Sequence, residues 1–383
     1  MTEEPTAESQ EPRAERRAQR ETSVIPSACA NEEREAGAVF AERAGVEVPT
    51  HFGDPLGEYR AVRSGAGLVD FSFRGLLQLT GGERLRWLNG QITNEVKTLP
   101  SGAGCLAAAL TVKGRLLAEL AVYGLTDAVW IDLHRDRLEA VQNAFDRHII
   151  ADDVQVADLS ARFAHLMVAG PAATRALTAA LGQEIGDLAP WHHREVRLGE
   201  VPVRVSASRW LRLPGFDLLI PADAAGAAWG QILRDGSAAG LRPVGTAALE
   251  WLRVEAAWPC FGVDYDDNSL LMESLTADHV SFTKGCYVGQ EVVIRAEHQG
   301  HLNKRLCGLL VTGETVPAPG MPVVLGDRTV GRVTSAVRSP VLGRVIALAH
   351  LRRECWEPGT PLCIGARPDA FSGETAALPF LTE

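Results

Sequence analysis

Residues 106–149 read LAAALTVKGRLLAELAVYGLTDAVWIDLHRDRLEAVQNAFDRHI. Short apolar runs, separated by charged residues or glycine, predict strands, and they span 106–112, 116–123 and 129–133. The segment 135–149 predicts a helix, because Leu138, Val141 and Phe145 recur at spacings of three and four residues. Strands followed by a helix in this order indicate a sheet that is covered on one face, which is typical of an α+β protein.

The same order of elements extends outward from this stretch and then recurs. Before and after it, the sequence predicts a strand at 76–80, a helix at 82–96 and a strand near Val154. The second set comprises a strand at 164–169, a helix at 171–181, a hairpin at 195–198 and 201–205, a strand at 217–220 and a helix at 222–233. We therefore predict an α+β fold with two related sheet units.

The two ends of the chain differ from these units in amino-acid composition and in the spacing of apolar residues. Residues 1–45 are rich in Glu, Arg, Ala and Ser, which predicts a disordered or frayed arm. A helix is predicted at 245–256, and after Leu306 short alternating segments separated by Gly and Pro indicate a small C-terminal β-barrel. The predicted domains are the arm, a first α+β domain at 46–160, a second at 161–302 that includes the segment discussed next, and a barrel at 303–383.

Composition limits the kinds of partner. The chain has 383 residues and a formal net charge of −10, which argues against a general nucleic-acid or anionic-membrane binder. The sequence contains no apolar run of the length that a transmembrane helix needs, and its start lacks the pattern of a signal peptide, so we expect a cytoplasmic protein. Seven cysteines without a Cys-x-x-Cys pair predict neither a disulfide framework nor a metal cage, and we predict no metal site.

Residues 281–301, SFTKGCYVGQEVVIRAEHQGH, hold the densest group of chemically useful side chains. Cys286 stands two residues after Lys284 and just before a predicted helix at 290–298. Unpaired helix amides and the lysine charge would favour the thiolate there. From these residues alone, a turn with an incidental buried cysteine remains an equal alternative.

Polar side chains also cluster in LNGQITN (88–94) and VKGR (112–115). These amides and hydroxyls would suit a heteroaromatic ring, but they would equally suit helix capping and turns. Lysine is scarce in this chain, and Lys113 and Lys284 each stand beside a glycine. They are therefore candidates for sites where a compact ammonium suits better than an arginine guanidinium.

TKGCYVGQE, with RVEAAWPCFGVDYD before it and HLNKRL after it, resembles the YgfZ family of folate-binding proteins, which are relatives of the glycine-cleavage T-protein, an aminomethyltransferase. The resemblance extends over roughly residues 50–365. It implies three domains arranged as a ring around a central channel that holds tetrahydrofolate or a related folate. It also implies support of iron–sulfur cluster assembly or repair, and through it tRNA modification, with iron–sulfur assembly proteins or client enzymes as partners.

The resemblance also implies roles for individual residues. Cys286 and Lys284 correspond to the functional cysteine and its neighbouring lysine, and we predict them as catalytic. The predicted folate contacts are Gln91, Thr93, Asn94, Lys113, Arg253, Tyr287, Gln290 and Glu291.

The alternative reading is a folate-dependent aminomethyltransferase or demethylase of the T-protein type. Such enzymes have an Asp-Asp pair where this chain has Ala118–Glu119. Ala118 carries no proton, and Glu119 is expected on the opposite face of the strand, so this reading is ranked second. A pure interaction module without folate is a third possibility, and whether the chain is an enzyme stays open at this point.

Overall fold

The computed structural model describes residues 24–299, 302–365 and 370–381. Helices of the first half are α1 (Ala30–Glu35), α2 (Pro55–Ser64), α3 (Arg84–Asn89) and α4 (Leu138–Asp146). Its strands are β1 (Ile25–Pro26), β2 (Val39–Arg43), β3 (Val46–His51), β4 (Ala66–Asp70), β5 (Arg74–Thr80), β6 (Gly104–Leu110), β7 (Leu116–Gly124), β8 (Val129–His134) and β9 (Gln155–Asp158).

The second half is described in the same way. Its helices are α5 (Ala173–Leu181), α6 (Ala225–Gly236), α7 (Thr246–Glu255), α8 (Leu271–Ser274) and α9 (Gln290–Gln299). Its strands are β10 (Phe163–Ala169), β11 (His193–Leu198), β12 (Val201–Ser208), β13 (Gly215–Pro221), β14 (Leu241–Val244), β15 (Lys304–Val311), β16 (Pro322–Leu325), β17 (Arg328–Ser339), β18 (Arg344–Arg352), β19 (Pro361–Ile364) and β20 (Phe371–Ala376).

Two sheets share the order of four of their strands. The five-stranded sheet runs β6-β7-β8-β5-β9, and the six-stranded sheet runs β11-β12-β13-β10-β4-β14. In each, a first strand is followed by a helix, and the next three strands pair antiparallel back to the first. The two related sheet units predicted from the sequence are therefore confirmed, and β15 to β20 form the predicted barrel, which is closed.

Each layer has its own apolar core. Leu138, Val141 and Phe145 of α4 are buried against the five-stranded sheet, as their spacing predicts. Residues of α5 and α6 cover the outer face of the six-stranded sheet, and α5 ends at Gly182, whose φ of 64° is the left-handed conformation that glycine adopts readily. A further core lies between the inner faces of the two sheets, and a cavity borders it. Among the described residues, no helix combines the length and apolar character that a bilayer crossing requires.

Some sequence predictions differ from the structure. The arm does not extend to residue 45, because α1, β1 and β2 lie within it and Cys29, Ala30 and Glu33 are buried; residues 1–23 lie outside the described residues. Helix α3 is much shorter than the predicted 82–96, because the Asn89 side chain accepts hydrogen bonds from the main chain after it and turns the chain. Strand β4 also joins the second sheet, so the sheets cut across the predicted boundary at residue 160.

Candidate functional site

A cavity of about 440 Å³, the central cavity, opens between the inner faces of the two sheets and the segment that follows α7. One side is an aromatic wall of Trp191, Trp210 and Trp258. The ring centroids of Trp191 and Trp210 are 4.7 Å apart, and those of Trp210 and Trp258 are 4.9 Å apart with nearly parallel planes. The wall therefore offers a broad apolar surface to a flat ligand.

Glu119 supplies a carboxylate to this cavity. On strand β7, Ala118 and Leu120 point into the core beneath α3 and α4, so Glu119 points to the opposite, inner face of the sheet. The side chain is only 7% exposed. The sequence prediction that Glu119 faces away from Ala118 is correct, but that face is the one that lines the cavity.

Two neighbours hold the Glu119 carboxylate in place. Its Oε1 lies 2.8 Å from Nε2 of His279, and its Oε2 accepts a hydrogen bond from Trp258 Nε1 at 3.3 Å. Burial raises the pKa of Glu119, but His279, Arg74 and Trp258 together outweigh burial and leave the pKa below its ordinary value. The carboxylate is therefore ionised at neutral pH.

A buried polar layer fixes the aromatic wall from behind. Trp210 Nε1 donates to Asp217 Oδ2 at 3.0 Å, and the Arg74 guanidinium lies 4.4 Å from the Trp210 ring centroid. Arg74 in turn binds Asp132 at 2.8 Å with both side chains buried. This layer restricts the wall to one orientation, which favours a preorganised site.

Two arginines stand at the exposed rim of the cavity. Arg212 Nε donates to the main-chain oxygen of Ala256 at 3.0 Å, which directs its guanidinium along the rim. Arg209 is exposed, and in the described part of the chain no hydrogen bond or ion pair engages its side chain. The rim therefore carries positive charge that is available to an anionic group.

Several residues predicted from the sequence have structural partners elsewhere. Lys284 is buried, and its ammonium donates to the main-chain oxygens of Asn89 (2.6 Å), Ile92 (2.8 Å) and Asn94 (2.7 Å). Thr93 donates to the main-chain oxygen of His279 at 2.6 Å, and the Asn94 amide donates to those of Leu106 and Asp278. These contacts join the loop after α3 to residues 277–284, and thereby place His279 beside Glu119.

Arg253 is also fully engaged. It is 2% exposed and pairs with Asp264 at 2.7 Å and Glu250 at 2.6 Å, while Ser335 accepts a further hydrogen bond. Its donors therefore tie α7 to the barrel.

The remaining predicted residues do not line the central cavity. Cys286, Lys113 and Glu291 are exposed, Gln91 and Gln290 are partly buried, and Tyr287 is buried in a small apolar cluster beside α8 and α9. The structure brings Lys284, Thr93 and Asn94 together, but it does not bring Cys286 to Glu119. Catalytic and folate-binding roles for these residues stay predictions.

The anchoring role of Lys284 can be tested by replacement. We expect Lys284→Met to lower the free energy of unfolding by about 3 kcal/mol, because buried carbonyl oxygens lose a charged donor. Burial lowers the pKa of Lys284 to about 8, so the comparison belongs at pH 7, where the ammonium is present. Urea denaturation measures the effect, and the exposed Lys97→Met is the control. Equal midpoints for the two variants would rule out the anchor.

Sequence reasoning missed the residues that form the central cavity. Trp191, Trp210 and Trp258 are far apart along the chain, and His279 is 19 positions from the nearest other histidine, His298. The signal that was present is the pair of arginines flanking Trp210, in the segment SRWLR, next to a predicted strand.

Two related sheets, a closed barrel and an acidic aromatic cavity define the class of protein. The GCVT N-terminal domain matches residues 30–284, and the glycine cleavage T-protein C-terminal barrel domain matches residues 304–381. The chain therefore belongs to this GCVT family. Among the described residues, no group of three metal-ligating side chains accompanies the site.

Named relatives agree with this family. The chain is 29% identical to an aminomethyltransferase of Cutibacterium acnes over 90% of its own length and 95% of that protein. It is also 29% identical to one of Streptomyces avermitilis, over 91% and 95%. The crystal structure of glycine cleavage system aminomethyltransferase T from Bartonella henselae superposes with a TM-score of 0.86 at 21% identity, covering 94% of this chain and 99% of that one, which shows the shared fold.

These comparisons correct the functional reading of the sequence. The prediction of a role in iron–sulfur cluster assembly is wrong, because the similar curated proteins are aminomethyltransferases. The alternative that was ranked second is the one they favour. Membership of the wider family is confirmed, and assignment to its YgfZ branch stays a prediction.

Proposed function

We propose that this chain is a tetrahydrofolate-dependent transferase of the aminomethyltransferase type, which works in the central cavity. The observation that carries the proposal is the position of Glu119. Its buried carboxylate lines the central cavity, whereas the sequence predicts it on the face of the strand away from the site. The names of the relatives support the reaction class.

The residues present fit a reduced folate. A volume of about 440 Å³ lies within the usual range for small-ligand sites. The aromatic wall suits the flat pterin and benzoyl rings, and the rim arginines Arg209 and Arg212 suit the glutamyl carboxylates. Local positive charge of this kind allows an anionic ligand to bind a chain whose net charge is −10.

Tetrahydrofolate supplies the amine nitrogens that accept the one-carbon unit. Glu119 has a pKa below its ordinary value, so it is a weak proton acceptor, and its main contribution is to stabilise positive charge that develops on a reacting amine. His279 and Trp258 hold its oxygens at fixed positions, so the carboxylate is oriented before the reaction. The three tryptophans exclude water from one side of the cavity, which strengthens that electrostatic effect.

Folate binding is the direct test of this site. We expect calorimetric titration with tetrahydrofolate, under anaerobic conditions, to show one saturable site per chain. Arg209→Ala should weaken binding about tenfold, because an exposed guanidinium that pairs with a ligand carboxylate contributes about 1.4 kcal/mol.

Arg242→Ala is the matched control, since Arg242 is exposed on β14 and does not line the cavity. Equal folate affinities for the two variants would show that the glutamyl end of the ligand does not bind at the rim. Absence of any binding to the wild-type chain would reject the proposed function.

A further inference from the structure

A second, smaller cavity of about 20 Å³ adjoins the central cavity, and we call it the side chamber. Glu119, Trp258 and Pro259 line both spaces. The chamber has room for a water-sized molecule and excludes a folate ring. Cys260 and His134 lie in its wall, and neither has a part in the proposed transfer reaction.

Cys260, His134 and Asp136 form a chain of nucleophile, base and orienting acid. His134 Nδ1 lies 2.6 Å from Asp136 Oδ1, which places the ring proton on Nδ1 and leaves Nε2 as a proton acceptor. Within the described residues Nε2 has no hydrogen-bond partner, although it is buried. The Cys260 thiol meets the main-chain oxygen of Phe261 at 3.6 Å, and its proton can pass to the imidazole in the same chamber.

Cations surround the sulfur of Cys260. Arg43 Nη2 is 3.7 Å from Sγ, and Arg253 and Arg74 also line the chamber. The acidic group in the chamber wall is Glu119. Three more acids lie behind the other wall residues: Asp132 pairs with Arg74, Asp136 with His134, and Asp264 with Arg253. Burial raises the pKa of Cys260, but His134, Arg43 and Arg253 outweigh burial and leave it below its ordinary value.

The other buried or partly buried cysteines behave in the opposite way. Burial raises the pKa of Cys29, Cys307 and Cys355, and it raises that of Cys105 to about 12. Cys286 and Cys363 are exposed, and neither lines the side chamber. Among the buried and partly buried cysteines, all of which lie in the described residues, Cys260 is therefore the one whose pKa is lowered.

Arg74 shows that the side chamber has a place for an oxygen. Its side chain is 3% exposed and lines the chamber, and within the described residues its Nη2 has no hydrogen-bond partner. A buried guanidinium N–H without an acceptor is unfavourable, so an oxygen atom in the chamber would satisfy it.

We propose that Cys260 is an oxidation site, whose thiolate reacts with hydrogen peroxide in the side chamber and whose product oxygen is held by Arg74. The sulfur attacks one peroxide oxygen, so that an S–O bond forms and the O–O bond breaks. The leaving hydroxide takes the proton that His134 received from the thiol and departs as water. The product is a sulfenic acid on Cys260, and two equivalents of a small thiol would return it to the thiol, the first by forming a mixed disulfide with loss of water and the second by reducing that disulfide.

The test compares cysteines within one wild-type protein. The full chain is exposed to hydrogen peroxide at pH 6.5 and then denatured in dimedone, which traps sulfenates without regard to access. Remaining thiols are alkylated, and peptides are quantified by mass spectrometry. We expect Cys260 to acquire the dimedone adduct about tenfold faster than Cys286 or Cys363, because the side chamber gives its sulfur neighbouring cations, a base and a donor for the product oxygen. Equal or faster oxidation of the two exposed cysteines would overturn the proposal.

A charge-removing variant separates activation from mere access. Arg43→Gln should slow oxidation of Cys260 several-fold at pH 6.5, and the difference should shrink at pH 9, where more of the thiol ionises in either protein. A melting temperature close to that of the wild type confirms that the variant is folded. If Arg43→Gln leaves the oxidation rate of Cys260 unchanged at both pH values, the cations do not activate the sulfur. That result would overturn this proposal and leave the proposed folate-dependent function untouched, since folate binding is measured separately.

Discussion

Glu119→Gln is expected to lower folate-dependent turnover by about 100- to 1000-fold, which is the usual loss when a preorganised electrostatic group is removed. The substitution keeps the shape of the side chain and removes its negative charge. Positive charge on the reacting amine is then no longer offset by a carboxylate in a cavity that three tryptophans line on one side. Folate affinity should change only a few-fold, because the aromatic wall and the rim arginines bind the rest of the ligand.

Steady-state kinetics with separate determination of kcat and KM checks this prediction. Glu139→Gln, an exposed glutamate on α4, is the matched control and should behave as the wild type. A Glu119→Gln enzyme with kcat within tenfold of the wild type would show that the carboxylate does not take part in the transition state.

Asp264→Ala is expected to produce the largest loss of stability, about 4 kcal/mol. Asp264 is 1% exposed and accepts hydrogen bonds from Arg253 (2.7 Å), Thr334 (2.6 Å), Ser335 (2.7 Å) and the main chain of Cys260 (2.9 Å). Its removal leaves the buried Arg253 guanidinium without its closest buried counter-charge. The contact between α7 and the barrel is weakened at the same time.

Thermal unfolding checks the second prediction, and a decrease of roughly 5 °C in Tm corresponds to this loss in a chain of 383 residues. Asp127→Ala, at an exposed position in the turn between β7 and β8, is the control and should leave Tm unchanged. Matching melting temperatures for the two variants would show that the buried ion pair does not stabilise the chain.

Periodicity along the chain was enough to predict much of the fold. The alternation of β7, the spacing of Leu138, Val141 and Phe145, and the Gly/Pro-punctuated C-terminal strands each reflect burial on one face, which is a local property of the sequence. The start of the fold at α1 was not predictable in this way, because its burial depends on contacts with distant elements such as α6.

The functional site was harder to predict for a physical reason. Strand alternation correctly places Glu119 opposite Ala118, but only the packing of the second sheet determines that this face borders a cavity. The same dependence on packing applies to Trp210 and Trp258, which the chain brings together from different segments. Lys284 stood out in the sequence, and its role in the structure is to anchor a loop through three main-chain oxygens.

The most direct measurement is the release of ammonia from a small aminomethyl thioether probe by the wild-type chain, with and without tetrahydrofolate. We predict release that requires tetrahydrofolate, matches the methylene-tetrahydrofolate formed one to one, and is lost in Glu119→Gln. A chain that binds tetrahydrofolate yet releases ammonia at the same rate without it, or releases none, would contradict transferase activity in the central cavity.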